Sequence, residues 1–232
     1  MKKYILFSCL ILVSSIAFSQ KKELKSFYII DVFGPFQIEL IASDKEAIEM
    51  EAVNVRQEDL EVEVRRGELI LKLRSRHFLT DWDSKKFRNA QFIKTKIYFK
   101  NLEEVRASAG ATITANETIR AQKIMIIGNM GAEVKLSLVA DNVYAKASMG
   151  ATVNLSGRTN FLEVKGNMGG VIKASRLESK SAYAKANMGS EISIFASEEI
   201  DIDANMGSDV RYEGDPVVRH TSRKMGADIR RK

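Results

Sequence analysis

The stretch KASMGATVNL, residues 146–155, sets a Met-Gly-small triplet between two alternating apolar runs, and nearly the same letters return in KGNMGGVIKA at 165–174. Aligned on the glycine, seven segments share this pattern: SAGAT, NMGAE, SMGAT, NMGGV, NMGSE, NMGSD and KMGAD. Their glycines are Gly110, Gly131, Gly150, Gly169, Gly189, Gly207 and Gly226, spaced 18 to 21 residues apart. Recurrence with so little drift is the mark of a solenoid, in which each repeat contacts only its neighbours.

The columns around the glycine identify the kind of solenoid. One residue after it the side chain is always small: Ala111, Ala132, Ala151, Gly170, Ser190, Ser208 and Ala227. Three residues after it the side chain is always β-branched and aliphatic, from Ile113 and Val134 through Val153, Ile172, Ile192 and Val210 to Ile229. A β-branched column is strand chemistry. Before the glycine a period of two continues, with Ile124/Ile126, Val143/Ala145, Leu162/Val164, Ala182/Ala184 and Ile200/Ile202 on one face and Lys146, Lys165, Lys185 and Asp203 between them. Helical repeats need apolar spacings of three and four and longer units. The reading is therefore all-β: a right-handed parallel β-helix with coils of about 19 residues, each strand pairing with its equivalent about 4.8 Å away.

Within this frame the glycine is expected where the chain bends sharply or packs closely on its neighbours. Met130, Met149, Met168, Met188, Met206 and Met225 share parity with the inward columns, so they are expected to form an interior ladder of flexible thioethers. The alternative, a soft-metal site such as one for Cu(I), requires exposed and convergent sulfurs. Asn129, Asn167, Asn187 and Asn205 are expected to form an amide ladder beside the turn.

Residues 1–19, MKKYILFSCLILVSSIAFS, read as a secretory signal peptide: two lysines, an apolar run too short to span a bilayer, and small residues before Gln20. A lipid-modified Cys9 fits worse, because more apolar sequence follows it than precedes it. With the leader removed, 36 basic and 30 acidic residues less Lys2 and Lys3 leave a net charge of +4, and the single cysteine is lost. Stability must then come from burial and backbone pairing rather than disulfides. So small a charge carries no argument for nucleic acid, although acidic glycans or lipid headgroups suit it. No other apolar run is long enough to cross a membrane.

Residues 20–106 lack the glycine repeat but remain strand-like, with FYIIDVFGPFQIEL, AIEMEAV, DLEVEVRRGELILKLR and KTKIYFK alternating and a hairpin turn at Arg65-Arg66-Gly67. They are expected to start and cap the solenoid, forming one continuous domain with residues 107–232. Arg223, Lys224, Arg230, Arg231 and Lys232 are expected to protect the other end by charge.

The segment RHFLTDWDSKKFRNAQF, 76–92, departs from the pattern and holds the only tryptophan. Trp82 as a stacking platform, with Asp81, Asp83 and Arg88 beside it, is the candidate ligand site; the competing reading is an aromatic closure of the first coil. A polysaccharide lyase or hydrolase would need His77, Trp82 and one or more of Asp81, Asp83 and Glu191 in one groove. His77 and His220 have no evident partner, and no nucleophilic triad, zinc motif or GxxxxGK loop is present in the sequence. Glu191, Asp209 and Asp228 fall in one outward column on successive coils, the candidate Ca²⁺ site. No cofactor is implied.

The opening block DVFGPFQIELIASDKEAIEMEAV, the second block LEVEVRRGELILKL, the third KTKIYFKNLEEVRASAGATI and the Gly-small-x-aliphatic coils together resemble the putative auto-transporter adhesin, head GIN domain family, over about residues 27–230. The resemblance implies a β-helix without catalytic residues and a role in adhesion, inferred mainly from architecture. With only six residues after Gly226, no translocating barrel is expected within this sequence. The resulting expectation is a non-enzymatic exported module of the periplasm, outer membrane or cell exterior that binds cell-surface glycan or an envelope protein. The alternatives are a polysaccharide-processing enzyme and a structural envelope protein that associates through its solenoid ends.

Overall fold

A computed structural model describes residues 21–53, 55, 57–74 and 92–232. Residues 1–20, which hold the expected leader, and residues 75–91, which include His77, Asp81, Trp82, Asp83 and Arg88, lie outside the described residues. The strands are β1 (Lys22–Glu23), β2 (Ile29–Phe33), β3 (Phe36–Ala42), β4 (Ala47–Val53), β5 (Leu60–Arg65), β6 (Glu68–Leu73), β7 (Phe92–Phe99), β8 (Glu104–Ser108), β9 (Thr112–Asn129), β10 (Glu133–Ser148), β11 (Thr152–Asn167), β12 (Val171–Ala186), β13 (Glu191–Phe195), β14 (Glu199–Ala204), β15 (Asp209–Glu213), β16 (Val217–Arg223) and β17 (Asp228–Arg231). Parallel coils about 19 residues apart stack into a solenoid of about seven turns.

Each coil contributes to two strand stacks. The first runs β6, β2, β8, the second half of β9, then the second halves of β10, β11 and β12, then β14 and β16. The second runs β7, β3, the first halves of β9 to β12, then β13, β15 and β17. Parallel pairing in this register superposes like residues, and the interior columns follow. Ile113, Val134, Val153, Ile172, Ile192 and Val210 are all fully buried.

The coil order in space differs from the order in sequence at the start. The chain enters at β2–β3, returns through β4 and β5, lays β6–β7 outside β2–β3, and resumes with β8 on the other side of β2. Antiparallel strands finish this end: β5 closes β6 through the Arg66-Gly67 turn, while β4 covers β7 and β1 covers β4. Such strands block further parallel pairing, which is how solenoid ends are protected. At the far end the basic residues pair with acids: Arg231 with Asp215 (2.9 Å), Lys232 with Glu213 (3.3 Å) and Arg223 with Asp228 (3.6 Å).

The Met-Gly pair sits differently from the sequence expectation. Met130, Met149, Met168, Met188 and Met206 have φ between 46° and 51°, and the glycine after each has φ between 66° and 72°. The Ala132 N–H donates to the Asn129 carbonyl (3.2 Å), and Ala151 and Gly170 repeat the bond in their coils. Two consecutive positive φ values under such a bond make a type I′ turn. The chain folds over its tip there, the pleat is interrupted, and the methionines emerge instead of pointing inward, 40 to 46% exposed and 72% at Met225. The interior thioether ladder is therefore corrected to an exterior one.

The glycine's reason changes with it. A Cβ placed on Gly131, Gly150 or Gly169 meets nothing within 4 Å, so the residue is required by its dihedral and not by close packing. Tight packing falls on the columns either side. A Cβ at Gly128 would lie 3.1 Å from Val153 and one at Gly166 2.9 Å from Ser190, while Ala132, Ala151, Ser190 and Ser208 are buried. Two of the asparagines cap the turn, Asn129 Oδ1 accepting the Met130 N–H (3.0 Å) and Asn205 Oδ1 the Met206 N–H (2.9 Å), whereas the buried Oδ1 atoms of Asn167 and Asn187 have no hydrogen-bond partner. At Asn129 and Asn205 the side chain bonds within its own turn instead of to the next coil's amide.

Candidate functional site

The outward residues of each coil are stacked by the same register as the core. On the second stack two rows of opposite character run side by side. One passes Glu133, Thr152, Val171, Glu191, Asp209 and Asp228; the other passes Lys135, Asn154, Lys173, Ser193, Arg211 and Arg230. The structure thus brings Glu191, Asp209 and Asp228 into one column, but arginines from the adjacent row close it. Arg211 bridges Glu191 (3.0 Å) and Asp209 (3.2 Å), and Arg230 bridges Asp209 (2.7 Å) and Asp228 (2.8 Å). Among the described residues no group of three His, Cys, Asp or Glu side chains is arranged to hold a metal ion. The column is an alternating ladder of carboxylate and guanidinium. His220, at the end of the first stack, lies 3.5 Å from Asp203.

The first stack carries a different surface. Tyr144, Glu163 and Tyr183 are register partners on β10, β11 and β12, as are Lys146, Lys165 and Lys185 two residues later and Asn142, Phe161 and Ser181 two residues earlier. These nine positions form a grid of three coils by three rows facing solvent. Their geometry follows from period-two alternation, since Val143, Ala145, Leu162, Val164, Ala182 and Ala184 between them are buried.

Aromatic and cationic groups meet on this grid. The Tyr144 and Phe161 rings are 6.2 Å apart and tilted by 59°, and Lys123 Nζ lies 4.9 Å from the Tyr144 ring centroid. Tyr183 donates its hydroxyl to Asp203 Oδ2 (3.0 Å), which fixes its ring against the next coil. Burial, and then the hydrogen bond to Asp203, raise the Tyr183 pKa above its ordinary value.

The three lysines are exposed and consecutive. Lys165 pairs with Glu163 at 2.5 Å, whereas Lys146 and Lys185 have no carboxylate partner among the described residues. Asp203, the register partner of Lys185, is engaged by Tyr183 and His220 instead. At the coil spacing of about 4.8 Å, adjacent ammonium groups repel by about 0.9 kcal/mol at the dielectric of water, less as the side chains splay. An anion laid along the column would relieve that repulsion. A hollow of about 340 Å³ continues the surface toward the last coil, lined by Lys185, Asn187, Asp203, Asn205, Ser222 and Lys224.

A second, more neutral groove of about 610 Å³ lies near the capped end, where Glu49 and Glu51 on β4 face Lys96 and Lys94 on β7 across the strand pair. Its groups are largely satisfied within it: Tyr98 donates to Glu49 (3.0 Å), Asn116 donates to Glu39, and Lys21 stacks on the Tyr98 ring at 3.5 Å. Sequence reading identified the outward lysines but passed over Tyr144, Phe161 and Tyr183. The signal was present, because the glycine alignment places Tyr144 and Tyr183 at the same offset, six residues before the glycine.

The family described as "Putative auto-transporter adhesin, head GIN domain" matches residues 26–216. The chain belongs to this family. Among solved structures it is similar to a putative adhesin from Bacteroides fragilis, with TM-score 0.78 and 16% identity over 92% of this chain and 95% of that one. It is also similar to a putative lipid binding protein from Parabacteroides distasonis, with TM-score 0.63 and 18% identity over 91% and 96% of the two chains. A third is a putative adhesin from Parabacteroides merdae, with TM-score 0.61 and 15% identity over 91% and 95%. At these identities the likeness is one of fold. No curated protein matches the sequence. No helix among the described residues is long and apolar enough to cross a membrane.

Proposed function

We propose that the protein is a non-enzymatic, exported, adhesin-like module that binds acidic polysaccharide of the cell envelope along its first strand stack. The observation that carries the reading is the register-stacked column Lys146, Lys165 and Lys185 beside the Tyr144 and Tyr183 rings. A linear polyanion presents carboxylates or sulfates at regular intervals, which ammonium groups at coil spacing can meet one after another. The half-buried tyrosines offer faces on which sugar rings stack. Family membership supports the adhesin-like class, and the +4 charge expected after leader removal suits an acidic ligand. Trp82, with Asp81, Asp83 and Arg88, is proposed as an auxiliary contact.

The test is a glycan array probed with the purified protein, with the triple variant Lys146→Ala/Lys165→Ala/Lys185→Ala, and with Trp82→Ala. The expected result is retention of acidic glycans by the native protein, weakening with salt as a screened interaction must, and loss in the lysine variant. Loss only in Trp82→Ala would move the site to the 76–92 segment. Equal binding by all three proteins, or shortening of the retained glycan, would refute the reading.

A further inference from the structure

The exterior methionine column has no explanation in the fold. The turn needs its glycine, and in two coils Asn129 or Asn205 caps the methionine N–H, but the residue before the glycine is only required to tolerate the left-handed region, which Asn, Asp or Gly do more readily than Met. Ala109 occupies the equivalent place before Gly110 with φ 57°, so the geometry forms without methionine. The next six coils nevertheless all place methionine there, in a backbone conformation that disfavours it and with 40% or more of the residue in solvent.

These residues are also aligned. The N–H groups of Gly110, Gly131, Gly150, Gly169, Gly189 and Gly207 donate to the carbonyls of Met130, Met149, Met168, Met188, Met206 and Met225 in turn, at 3.0 to 3.2 Å. Each methionine is thereby held one coil from the next. The six form an unbroken file along one edge, with neighbouring backbones about 4.8 Å apart. A thioether on an unbranched, flexible side chain can swing toward its neighbour across that distance. A soft-metal site needs exposed sulfurs that can converge; the exposure is present, and the one-coil spacing puts neighbouring thioethers within reach of one another.

We propose that this file binds soft univalent cations, Cu(I) and its redox-inert analogue Ag(I), each held between thioethers of adjacent coils. Thioether sulfur is a neutral, polarizable donor that selects Cu(I) over the hard cations. The surroundings favour a single positive charge over a double one. Lys146, Lys165 and Lys185 precede Met149, Met168 and Met188 by three residues, and their ammonium groups oppose a divalent ion more strongly. Six thioethers taken in neighbouring pairs accommodate up to three ions. The site lies on the turn edge and is independent of the polysaccharide reading.

The experiment titrates the purified protein with Ag(I) in chloride-free buffer by calorimetry, and with Cu(I) under anaerobic conditions against a chromogenic chelator. The native protein is expected to take two or three ions with micromolar or tighter affinity. Replacing all six methionines by leucine keeps the apolar bulk and removes sulfur; that variant is expected to lose at least tenfold in affinity while its far-UV circular dichroism stays native. A second variant, Met149→Leu with Met188→Leu and Met225→Leu, keeps three thioethers but places them about 10 Å apart, two coil spacings. It is expected to lose nearly all binding, since no adjacent pair survives. Absence of Ag(I) and Cu(I) binding by the native protein overturns the proposal, as does undiminished binding by the six-leucine variant. A loss of only half the binding in the three-leucine variant overturns the bridged geometry.

Discussion

The turn geometry makes a sharp prediction about two glycines seven residues apart. Gly150 has φ +72° and open space where a Cβ would go. Substitution by alanine then costs only the left-handed backbone penalty, about 1 to 2 kcal/mol. Gly157 has φ +112°, and its Cβ would fall 1.9 Å from the carbonyl oxygen of Leu138, its register partner in the preceding coil. That carbonyl would have to retreat by more than an ångström, breaking the ladder between β10 and β11. Gly157→Ala should cost about 4 kcal/mol or more, the range reserved for backbone clash and strain. For a domain of this size 1 kcal/mol moves Tm by about 2 to 4 °C, so the two variants should separate clearly in thermal scans and in urea midpoints at constant m.

Met149→Gly supplies the control. It relieves about 1 kcal/mol of left-handed strain. It gives up about 1 kcal/mol from a thioether that is a little over half buried, together with about 0.5 to 1 kcal/mol of added chain entropy. The net change should lie within about 1 kcal/mol of zero. Equal destabilisation by Gly150→Ala and Gly157→Ala, or a loss of several kcal/mol in Met149→Gly, would refute the exterior placement of the turn.

Val153→Asp, which puts a carboxylate into a fully buried aliphatic column, should abolish cooperative folding, read as loss of the unfolding transition. Tyr183 and Tyr98 both have pKa values raised above 10.0, by burial first and then by hydrogen bonds to Asp203 and Glu49. The unfolded chain therefore loses these protons first. Their contribution is intact below pH ~10 and declines as pH rises through the folded values. Tyr183→Phe should flatten the fall in urea midpoint as pH rises above about 10. Removing the guanidinium groups with Arg211→Ala, Arg223→Ala and Arg230→Ala frees the carboxylates of Glu191, Asp209 and Asp228. Calorimetry should then show Ca²⁺ binding at least tenfold stronger than in the native protein.

The coil period and the buried columns were legible because both rest on repetition at a fixed interval, and parallel stacking turns that interval directly into contact. Two features were not. Parity reasoning carried the inward face through Gly128 to Met130 and Ala132, yet a type I′ turn lies between them, and alternation has no meaning across two left-handed residues. Periodicity describes strands and stops at their ends. The placement of β6–β7 outside β2–β3 was illegible for another reason: IIDVF and ELILKL alternate equally well, and nothing in alternation states which neighbour a strand will choose. The aromatic grid was recoverable, since it needed only the glycine alignment extended six residues upstream.

A solenoid repeats its surface as faithfully as its core, and the two repetitions answer to different demands. Interior columns must repeat because each aliphatic side chain packs on its own copies; Val134, Val153 and Ile172 leave little choice. An exterior column has no such compulsion. The acidic file on the second stack shows what an indifferent exterior does: it drifts through Glu133, Thr152 and Val171, and where like charges do accumulate at Glu191, Asp209 and Asp228, arginines interleave to neutralise them. Lys146, Lys165 and Lys185 repeat with one intervening acid at Glu163, against their own repulsion, and the six methionines repeat against their own backbone preference. Repetition that the fold opposes calls for a cause outside the fold. If both files serve ligands, alanine at the lysines and leucine at the methionines should remove binding while leaving Tm unchanged or raised; a fall of more than about 4 °C, which is about 1 to 2 kcal/mol, in either variant would return that file to structural service.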